Sequence, residues 1–427
     1  MNRKYLFRVT LISLLLVAIT VMAVAAQDMP TAPQKAQPAI AERGESASPA
    51  ANVNESEPNN SFATADYIEA NHWRNPEYLD VMAGMISPAG DIDYYKFEDE
   101  AGYTSFYVAD IDAASNGSPL DAYICAYDHT GLELGCNDDS DGLDSLLIVP
   151  YEDEDGVFYI KVQELNHGNE GGNDYTYTLS VYSPLLISAA TNGTVNGVPF
   201  QAADILAFNG LKWMLFFDAS DVWVSANVTS FNHNRMKLAL SFAKNQVVTG
   251  ENLQQYTATP YDVVGFNATQ WGPATHGAFE NVLLFDGSNY GLSAASEKID
   301  ALGPRSWFSS EMVLSTTGAA AVPKAGGGIL KGRDEDLLVP NTATGQWTMA
   351  FDGSLLPGLG TEDVTATSWL PCFCDNTMLV IQGTGTVMGT KLTQKDVYLY
   401  DVEFPEWSYR IFRGPEHGFN YNIDGLD

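Results

Sequence analysis

The sequence predicts an all-β protein with two folded parts, a β-sandwich followed by a domain of four β repeats. Beyond about residue 53, short runs rich in Val, Ile, Tyr, Phe and Thr alternate with Gly, Asn and Asp clusters, which is typical of sandwiches and propellers. Long helical periodicity is absent. From residue 183 onward the chain repeats itself about every 60 to 70 residues, which indicates a repeat architecture.

The N-terminus has the layout of a secretory signal peptide over residues 1–25. Three basic residues come first, an uncharged apolar run follows at 9–24, and Ala23-Val24-Ala25 offers small residues for cleavage. The alternative is an uncleaved membrane anchor, but the run is shorter than the roughly 20 apolar residues of a spanning helix. No cysteine immediately follows the run, which argues against a lipoprotein. We expect a secreted or cell-surface protein with no membrane insertion after cleavage.

A segment at 26–54 separates the signal from the first folded part. It is rich in Ala, Pro, Gln, Ser and Glu and has almost no large apolar side chains. Such a segment cannot bury enough surface to offset its ordering entropy, so it is predicted to be a disordered linker. Ser183-Pro184 marks a boundary further on, which gives folded domains at 55–182 and 183–427.

The chain is long and strongly acidic. It has 427 residues, with 21 Lys and Arg against 54 Asp and Glu, and a net charge of −33. Without the signal about 400 residues remain, more than one hydrophobic core usually serves. Nucleic-acid binding is set aside because it depends on Lys and Arg at the phosphates. An acidic surface instead suits a soluble exported protein and attracts divalent cations.

Four cysteines in an exported chain are able to pair. Cys125 and Cys136 flank a hairpin-like turn, so a disulfide between its arms is feasible. Pairing across a two-residue loop places Cys125 opposite Leu134, and the disulfide therefore requires a register offset. Cys372 and Cys374 are separated by one residue, a spacing poorly suited to an unstrained disulfide. Cys-x-Cys also ligates metals, but no second pair or nearby His completes a site.

Several motifs follow one another in the first folded part. They are Glu55–Ser61, an Ala-x-Ala pair at Ala63 and Ala65, Gly90–Phe97, Leu120–Ile124, Asn137–Gly142, and closing strands at 157–162 and 175–181. In this order they resemble the bacterial pre-peptidase C-terminal domain over the whole of residues 55–182. That resemblance implies a jelly-roll-like β-sandwich appended to secreted proteases and other exported enzymes. Some members bind calcium, and some bind insoluble substrates such as collagen.

The resemblance also implies a calcium site. In the calcium-binding members the ligands come from the acidic opening segment and the aspartate before the aromatic pair, which here implies Glu55, Glu57, Asn59, Asn60, Asp93 and a main-chain carbonyl near Tyr94. Carboxylate, amide and backbone oxygens suit calcium. Asn60 and Gly90 depart from the family pattern, because acidic residues are common at both positions in calcium binders. The alternative is a structural turn, in which Pro and Asn serve the backbone.

Four landmarks recur within residues 183–427. An aromatic–Asp–small element occurs at Phe217-Asp218-Ala219, Phe285-Asp286-Gly287 and Phe351-Asp352-Gly353, and in altered form at Phe412-Arg413-Gly414. An apolar strand that opens with Asp precedes it, at Asp204, Asp262, Asp336 and Asp396. Another apolar strand begins at Leu185, Leu238, Met312 and Met378. The last landmark lies at Ile299-Asp300, Glu362-Asp363 and Ile423-Asp424. The sequence therefore predicts four units of four strands.

The phase of the repeats at the two ends favours a four-bladed β-propeller. The domain begins with the strand at Leu185 and ends with the landmark at Ile423, which precedes that same strand within the array. A ring in which the last strand pairs with the first removes two exposed sheet edges. The region resembles a secreted bacterial propeller-like repeat of no named family. The alternatives are a second pair of sandwich sheets and a larger irregular β-barrel.

The repeated aspartates and tryptophans are interpreted as structural. An Asp before a strand or in Phe-Asp-Gly-Ser accepts hydrogen bonds from its own turn. The tryptophans are expected in the core between units, and any exposed one is able to stack on sugar rings; they are Trp213, Trp271, Trp307, Trp347, Trp369 and Trp407.

No motif of a catalytic site occurs. The six histidines form no His-Glu-x-x-His, and no nucleophile elbow, phosphate loop or dinucleotide fingerprint is present. We expect a non-catalytic binding or adhesion protein with an extracellular protein or polysaccharide ligand. The alternative is a glycoside hydrolase or sialidase-like enzyme with carboxylates at the propeller centre. A third hypothesis is an envelope structural protein.

Overall fold

The computed structural model describes residues 52–72, 81–98, 106–139, 143–150, 156–166, 170–234, 237–304, 311–369, 376–401 and 404–427. The predicted signal peptide, the linker up to residue 51 and Cys372 and Cys374 lie outside these ranges. Every regular element within them is a β-strand or a short 3-10 turn, which confirms the all-β class. In the described part of the chain no helix is long and apolar enough to span a bilayer.

The first eleven strands form two sheets. They are β1 Asn52–Asn54, β2 Asp66–Tyr67, β3 Asn71–His72, β4 Val81–Met85, β5 Ile92–Glu98, β6 Phe106–Asp112, β7 Ala122–Asp128, β8 Glu133–Asn137, β9 Leu146–Pro150, β10 Val157–Glu164 and β11 Thr176–Ser183. One sheet has the order β1-β4-β11-β6-β9 with β3 beside β11, and the other has the order β2-β5-β10-β7-β8.

Period-two alternation fills the space between these sheets. In β5, Asp93, Tyr95 and Phe97 are buried while their neighbours are half exposed. Phe158 and Ile160 of β10 face the same interior, and the buried residues of both sheets form one apolar cluster. Since successive side chains of a strand point to opposite faces, this alternation carries the carboxyl group of Asp93 into the interior.

Cys125 of β7 and Cys136 of β8 form a disulfide. The two residues lie directly opposite each other in the antiparallel pair, and the register shifts between Ala126 and Tyr127. That shift is the offset that the pairing requires.

The remaining strands form the repeat domain. They are β12 Leu185–Ala189, β13 Gly193–Val195, β14 Val198–Phe200, β15 Ile205–Phe208, β16 Trp213–Phe217, β17 Val228–Asn234, β18 Lys237–Phe242, β19 Gln246–Thr249, β20 Gln255–Ala258, β21 Val263–Gln270, β22 His276–Phe285, β23 Ile299–Pro304, β24 Met312–Thr316, β25 Ala320–Pro323, β26 Ile329–Gly332, β27 Leu337–Asn341, β28 Gln346–Phe351, β29 Val364–Trp369, β30 Thr377–Ile381, β31 Thr384–Val387, β32 Thr390–Thr393, β33 Asp396–Tyr400, β34 Tyr409–Arg413 and β35 Ile423–Leu426.

Four four-stranded sheets, one for each repeat, contain most of these strands. Their orders are β16-β15-β12-β35, β17-β18-β21-β22, β23-β24-β27-β28 and β29-β30-β33-β34. Each repeat also has a separate two-stranded hairpin: β13-β14, β19-β20, β25-β26 or β31-β32. The prediction of four strands per unit therefore omitted the hairpins, whose strands of three or four residues are too short for a clear alternation.

The two ends of the domain share one sheet. β35 pairs antiparallel with β12, with Ile187 opposite Leu426. Leu186 and Asp427 exchange two main-chain hydrogen bonds of 2.7 and 3.0 Å. The last strand therefore lies beside the first, as the phase of the repeats predicts.

One strand from each of the four sheets contacts the corresponding strands of the other three sheets. β17, β23, β29 and β35 contact one another, and each has a bulge or register shift in its pairing near its start. The register corrects one landmark: Ile299 corresponds to Val364, so Asp300 corresponds to Thr365 and not to Asp363. The sequence alone aligns Ile299-Asp300 with Glu362-Asp363, and this alignment is wrong by two residues.

The sandwich and the first two repeat sheets share apolar packing. Phe106 and Ile148 of the sandwich belong to the same buried cluster as Phe216 and Trp271 of the repeat domain. β11 ends at Ser183 and β12 begins at Leu185, so no flexible linker separates the two parts.

Candidate metal centre

The opening segment at 55–60 lies against one end of the sandwich interior. The Glu55 amide donates to the Ala83 carbonyl of β4 at 3.0 Å, and the Tyr94 amide of β5 donates to the Asn59 carbonyl at 2.9 Å. Because β4 and β5 belong to different sheets, these two bonds hold the segment between the sheets.

Three carboxylates meet there. One oxygen from each of Glu55, Glu57 and Asp93 lies within 4.8 Å of the other two. Asp93 is fully buried, Glu55 is half-buried and Glu57 is exposed. The cluster thus extends from the interior of the sandwich to the solvent, which gives an ion a route in.

Two tyrosines join the buried carboxylates. Tyr177 donates to Asp93 Oδ2 at 2.5 Å, and Tyr95 donates to Glu55 Oε2 at 2.9 Å, while the two hydroxyls lie 2.5 Å apart. The Met85 amide donates to Glu55 Oε1 at 2.7 Å. Gly84 makes room for this arrangement, since a Cβ there would lie 2.3 Å from the Tyr177 ring.

Buried polar atoms remain without partners at this point. Asp93 Oδ1 and both side-chain polar atoms of Asn59 are inaccessible to solvent and make no hydrogen bond of standard geometry. Asn59 is fully buried, and its side chain is close enough to Glu55 to lower that residue's pKa. A buried acceptor without a partner costs about 1 to 3 kcal/mol, so these atoms are costly to bury as they stand.

The pKa values of the three clustered carboxyl groups are all raised. Burial raises the pKa of Asp93 to about 9, and the charges of Glu55 and Asp91 add to the rise. Burial also raises the pKa of Glu55 and of Glu57. No basic side chain is among the principal causes of these shifts. Carboxylates crowded without a counter-charge are stabilised by a bound cation.

The structure brings together only part of the ligand set that the resemblance implies. Asn60 is exposed, and its Nδ2 donates to Asp91 Oδ1 at 2.7 Å. Asp91 also accepts from the Ser87 amide at 3.1 Å. Asp91 therefore links Asn60 of the opening segment to the loop between β4 and β5. The Tyr94 amide anchors Asn59, and the main-chain carbonyl near Tyr94 stays a prediction as a ligand.

The donors present fit a hard divalent cation. Three carboxylates and the Asn59 amide oxygen are all oxygen donors, which calcium prefers, and the cluster has no sulfur or imidazole donor of the kind that zinc favours. Sequence reasoning missed Tyr177, which orients Asp93. Its only signal was the alternation of β11, which places Tyr177 and Leu179 inside the sandwich.

The repeated aspartates have the structural role that the sequence predicts. Asp218, Asp286 and Asp352 each accept from the amide of the serine two residues later, at 2.9, 3.1 and 3.2 Å. The tryptophans divide into two groups. Trp213, Trp271 and Trp347 are buried, whereas Trp407 is 62% exposed. Trp307 and the side chain of Trp369 lie outside the described part of the chain.

A pair of acidic side chains lies where the four repeat sheets meet. Asp300 of β23 is buried, and its carboxyl group is in contact with that of Asp363. Burial and this neighbour raise the pKa of Asp300, and burial raises the pKa of Asp363 to about 7. Neither oxygen of Asp300 is accessible to solvent.

Comparisons with known proteins find similarity among solved structures. No protein-family model matches the chain, and no curated protein matches it. Among solved structures, the pre-peptidase C-terminal domain of a collagenase from Bacillus anthracis is similar to part of the chain. The TM-score is 0.19 and the identity 13%, over 27% of this chain and 95% of that one.

Proposed function

We propose that the protein is a secreted or cell-surface binding protein without catalytic activity. In this proposal a calcium-stabilised sandwich of the pre-peptidase C-terminal type carries a four-bladed β-propeller, and the propeller presents the ligand-binding face. The observation that carries the calcium site is the fully buried Asp93, whose Oδ1 has no partner beside Glu55 and Glu57.

Three features support the propeller arrangement. Four sheets of equal strand number follow one another along the chain, and one strand of each contacts the corresponding strands of the others. β35 completes the first sheet by pairing with β12. In a first sheet built from both ends of the chain, β35 covers the edge of β12 that would otherwise be open.

Calcium titration followed by thermal unfolding tests the metal site. A ligand that binds only the folded state stabilises it by about 2.7 kcal/mol at one hundred times its dissociation constant, so the melting temperature should rise with calcium. The Asp93→Asn variant should lose this rise. Asp139→Asn, a change of an exposed acidic residue elsewhere in the sandwich, should keep it. An equal rise in both variants, or none in the native chain at millimolar calcium, would reject the site.

A second candidate function is glycoside hydrolysis, and the Asp300–Asp363 contact favours it. A carboxyl group with a raised pKa beside a second one is the arrangement of a general acid and its partner. The burial of Asp300 opposes it, because a sugar would have to reach an oxygen that is closed to solvent. Hydrolysis of polysaccharide that Asp300→Asn abolishes would replace the binding function with this one.

A further inference from the structure

The fourth repeat contains a groove lined by basic side chains. The groove has a volume of about 450 Å³, and Lys391, Lys395, Arg410 and Arg413 line it. The hairpin β31-β32, the turn before β33, and β34 supply these four residues. The whole chain has only 21 basic residues and a net charge of −33, so this concentration of positive charge is a local reversal.

The other repeats have different residues at three of these positions. In the position of Arg413 they have Asp218, Asp286 and Asp352, and in the position of Arg410 they have Leu215, Leu283 and Met349. In the position of Lys395 they have Ala203, Tyr261 and Glu335, each just before the strand-opening Asp. The basic groove is therefore particular to the fourth repeat and is not a consequence of the repeat fold.

Most of this charge is not neutralised. Arg413 pairs with Glu416 at 2.7 Å. No acidic side chain of the described residues forms an ion pair with Lys391, Lys395 or Arg410, and Arg410 donates only to the Lys391 carbonyl, at 3.4 Å. Asp396 is the one acidic residue in the lining, and it is buried. The groove thus presents an excess of positive charge to solvent.

Exposed aromatic side chains lie close in the chain to the arginines of the groove. Trp407 is 62% exposed and stacks on Phe404 with their ring centroids 4.5 Å apart. Tyr409, next to Arg410 in the chain, is 42% exposed. Trp407 precedes Arg410 by three residues, so their Cα atoms are at most about 11 Å apart. A flat ring held by stacking offers its apolar face to a sugar ring.

We infer that this groove binds an acidic polysaccharide, with sugar carboxylates or sulfates at the basic residues and sugar rings on Trp407 and Tyr409. Arginine binds planar carboxylates through two parallel hydrogen bonds. Thr384 and Asn422 in the lining supply neutral partners for sugar hydroxyls. Double-stranded DNA has one negative charge per about 1.7 Å of its axis, and a chain of this net charge repels it. A polyuronate has one carboxylate per sugar, so its charge density is lower and it is repelled less.

The inference rests on the proposed binding function and names its ligand. The test measures binding of polygalacturonate to the full chain without its signal, in chelator and at about 50 mM salt, where screening is weak. A neutral glucan is the comparison ligand. The native chain should bind the polyuronate and not the glucan. Binding of neither ligand, or a preference for the glucan, would overturn the inference.

Two double variants separate the groove from the net charge. Lys395→Glu with Arg413→Asp installs the residues of the third repeat and should weaken binding about tenfold or more, because two charge-assisted contacts are lost. Lys324→Glu with Lys331→Glu makes the same charge change at two exposed residues of the third repeat and should keep the affinity within about twofold, because neither residue lines the groove. Equal weakening in both would overturn the groove.

Further variants keep the test decisive. If the first double variant unfolds, Lys391→Gln with Lys395→Gln removes charge without reversing it and should still weaken binding. Trp407→Ala should reduce affinity for long polymers. Equal or tighter binding of single-stranded DNA would overturn the polysaccharide assignment. Loss of the calcium response with polyuronate binding intact rejects only the metal site, and the reverse result rejects only the groove.

Discussion

The first three repeats and the fourth build the same turn with opposite charge. After the phenylalanine that recurs in all four repeats, the first three have an aspartate whose carboxylate accepts from the serine amide two residues on. The fourth has Arg413, which pairs with Glu416 instead. The turn forms in both cases, since the residue that follows begins a 3-10 turn in every repeat.

The strand-opening aspartate shows the same division. Asp204, Asp262 and Asp336 accept from the amide of the small residue in that turn at 3.0 or 3.1 Å. In the fourth repeat, the Gly414 amide donates to the Lys395 carbonyl at 2.8 Å, and Asp396 Oδ1 has no partner.

The difference shows which parts of the motif determine the backbone. Gly353 and Gly414 both lie so close to other main-chain atoms that a Cβ would approach a carbonyl oxygen at 2.3 and 2.6 Å. The small residue and the buried aromatic residue are therefore the fixed parts. The acidic residue is replaceable, and in the fourth repeat its replacement makes the groove basic.

The largest expected contrast concerns the tryptophans. Trp347 in the third repeat is 1% exposed, and Trp407 in the fourth is 62% exposed. Trp347→Ala should cost about 3 to 5 kcal/mol of unfolding free energy, because it leaves a buried cavity. Trp407→Ala should change it by no more than about 0.5 kcal/mol. Chemical denaturation measures both, and similar costs would contradict the division of buried and exposed rings.

A smaller contrast isolates one hydrogen bond. Asp262 and Asp396 each accept from the amide and hydroxyl of the threonine three residues earlier, but only Asp262 also accepts from a glycine amide in the turn. Asp262→Ala should therefore destabilise the protein more than Asp396→Ala, by about 1.5 to 3 kcal/mol. Equal losses in a denaturation experiment would show that the extra bond contributes nothing.

The smallest contrast compares the turn residues themselves. Asp352→Ala removes a side-chain acceptor from the start of a 3-10 turn and should cost about 1 kcal/mol, as loss of an N-cap does. Arg413→Ala removes an exposed ion pair, which is worth no more than about 1 kcal/mol and often much less. The difference in melting temperature should be a few degrees at most. A larger loss from Arg413→Ala would mean that the arginine has a structural role.

The sequence predicted the strands well and the site only in part. The apolar strands at Leu185, Leu238, Met312 and Met378 coincide with β12, β18, β24 and β30. The hairpins between strands were missed, because two runs of three or four residues show too little alternation. The sequence pattern aligns Asp363 with Asp300 because each is an aspartate just before or at the start of a similar strand. Only the strand pairing shows that they occupy different positions.

Local sequence determined the all-β class, the repeat number and the acidic opening segment of the sandwich, because alternation and turn chemistry act between near neighbours. Tertiary structure decided which of those residues meet. Glu55, Asp93 and Tyr177 come from distant parts of the chain, and only the packing of two sheets brings them together. Lys391 and Arg410 belong to one repeat, and the contact of β32 with β34 brings them to the same groove. Distances through space between such residues depend on how sheets pack, and no local periodicity encodes them.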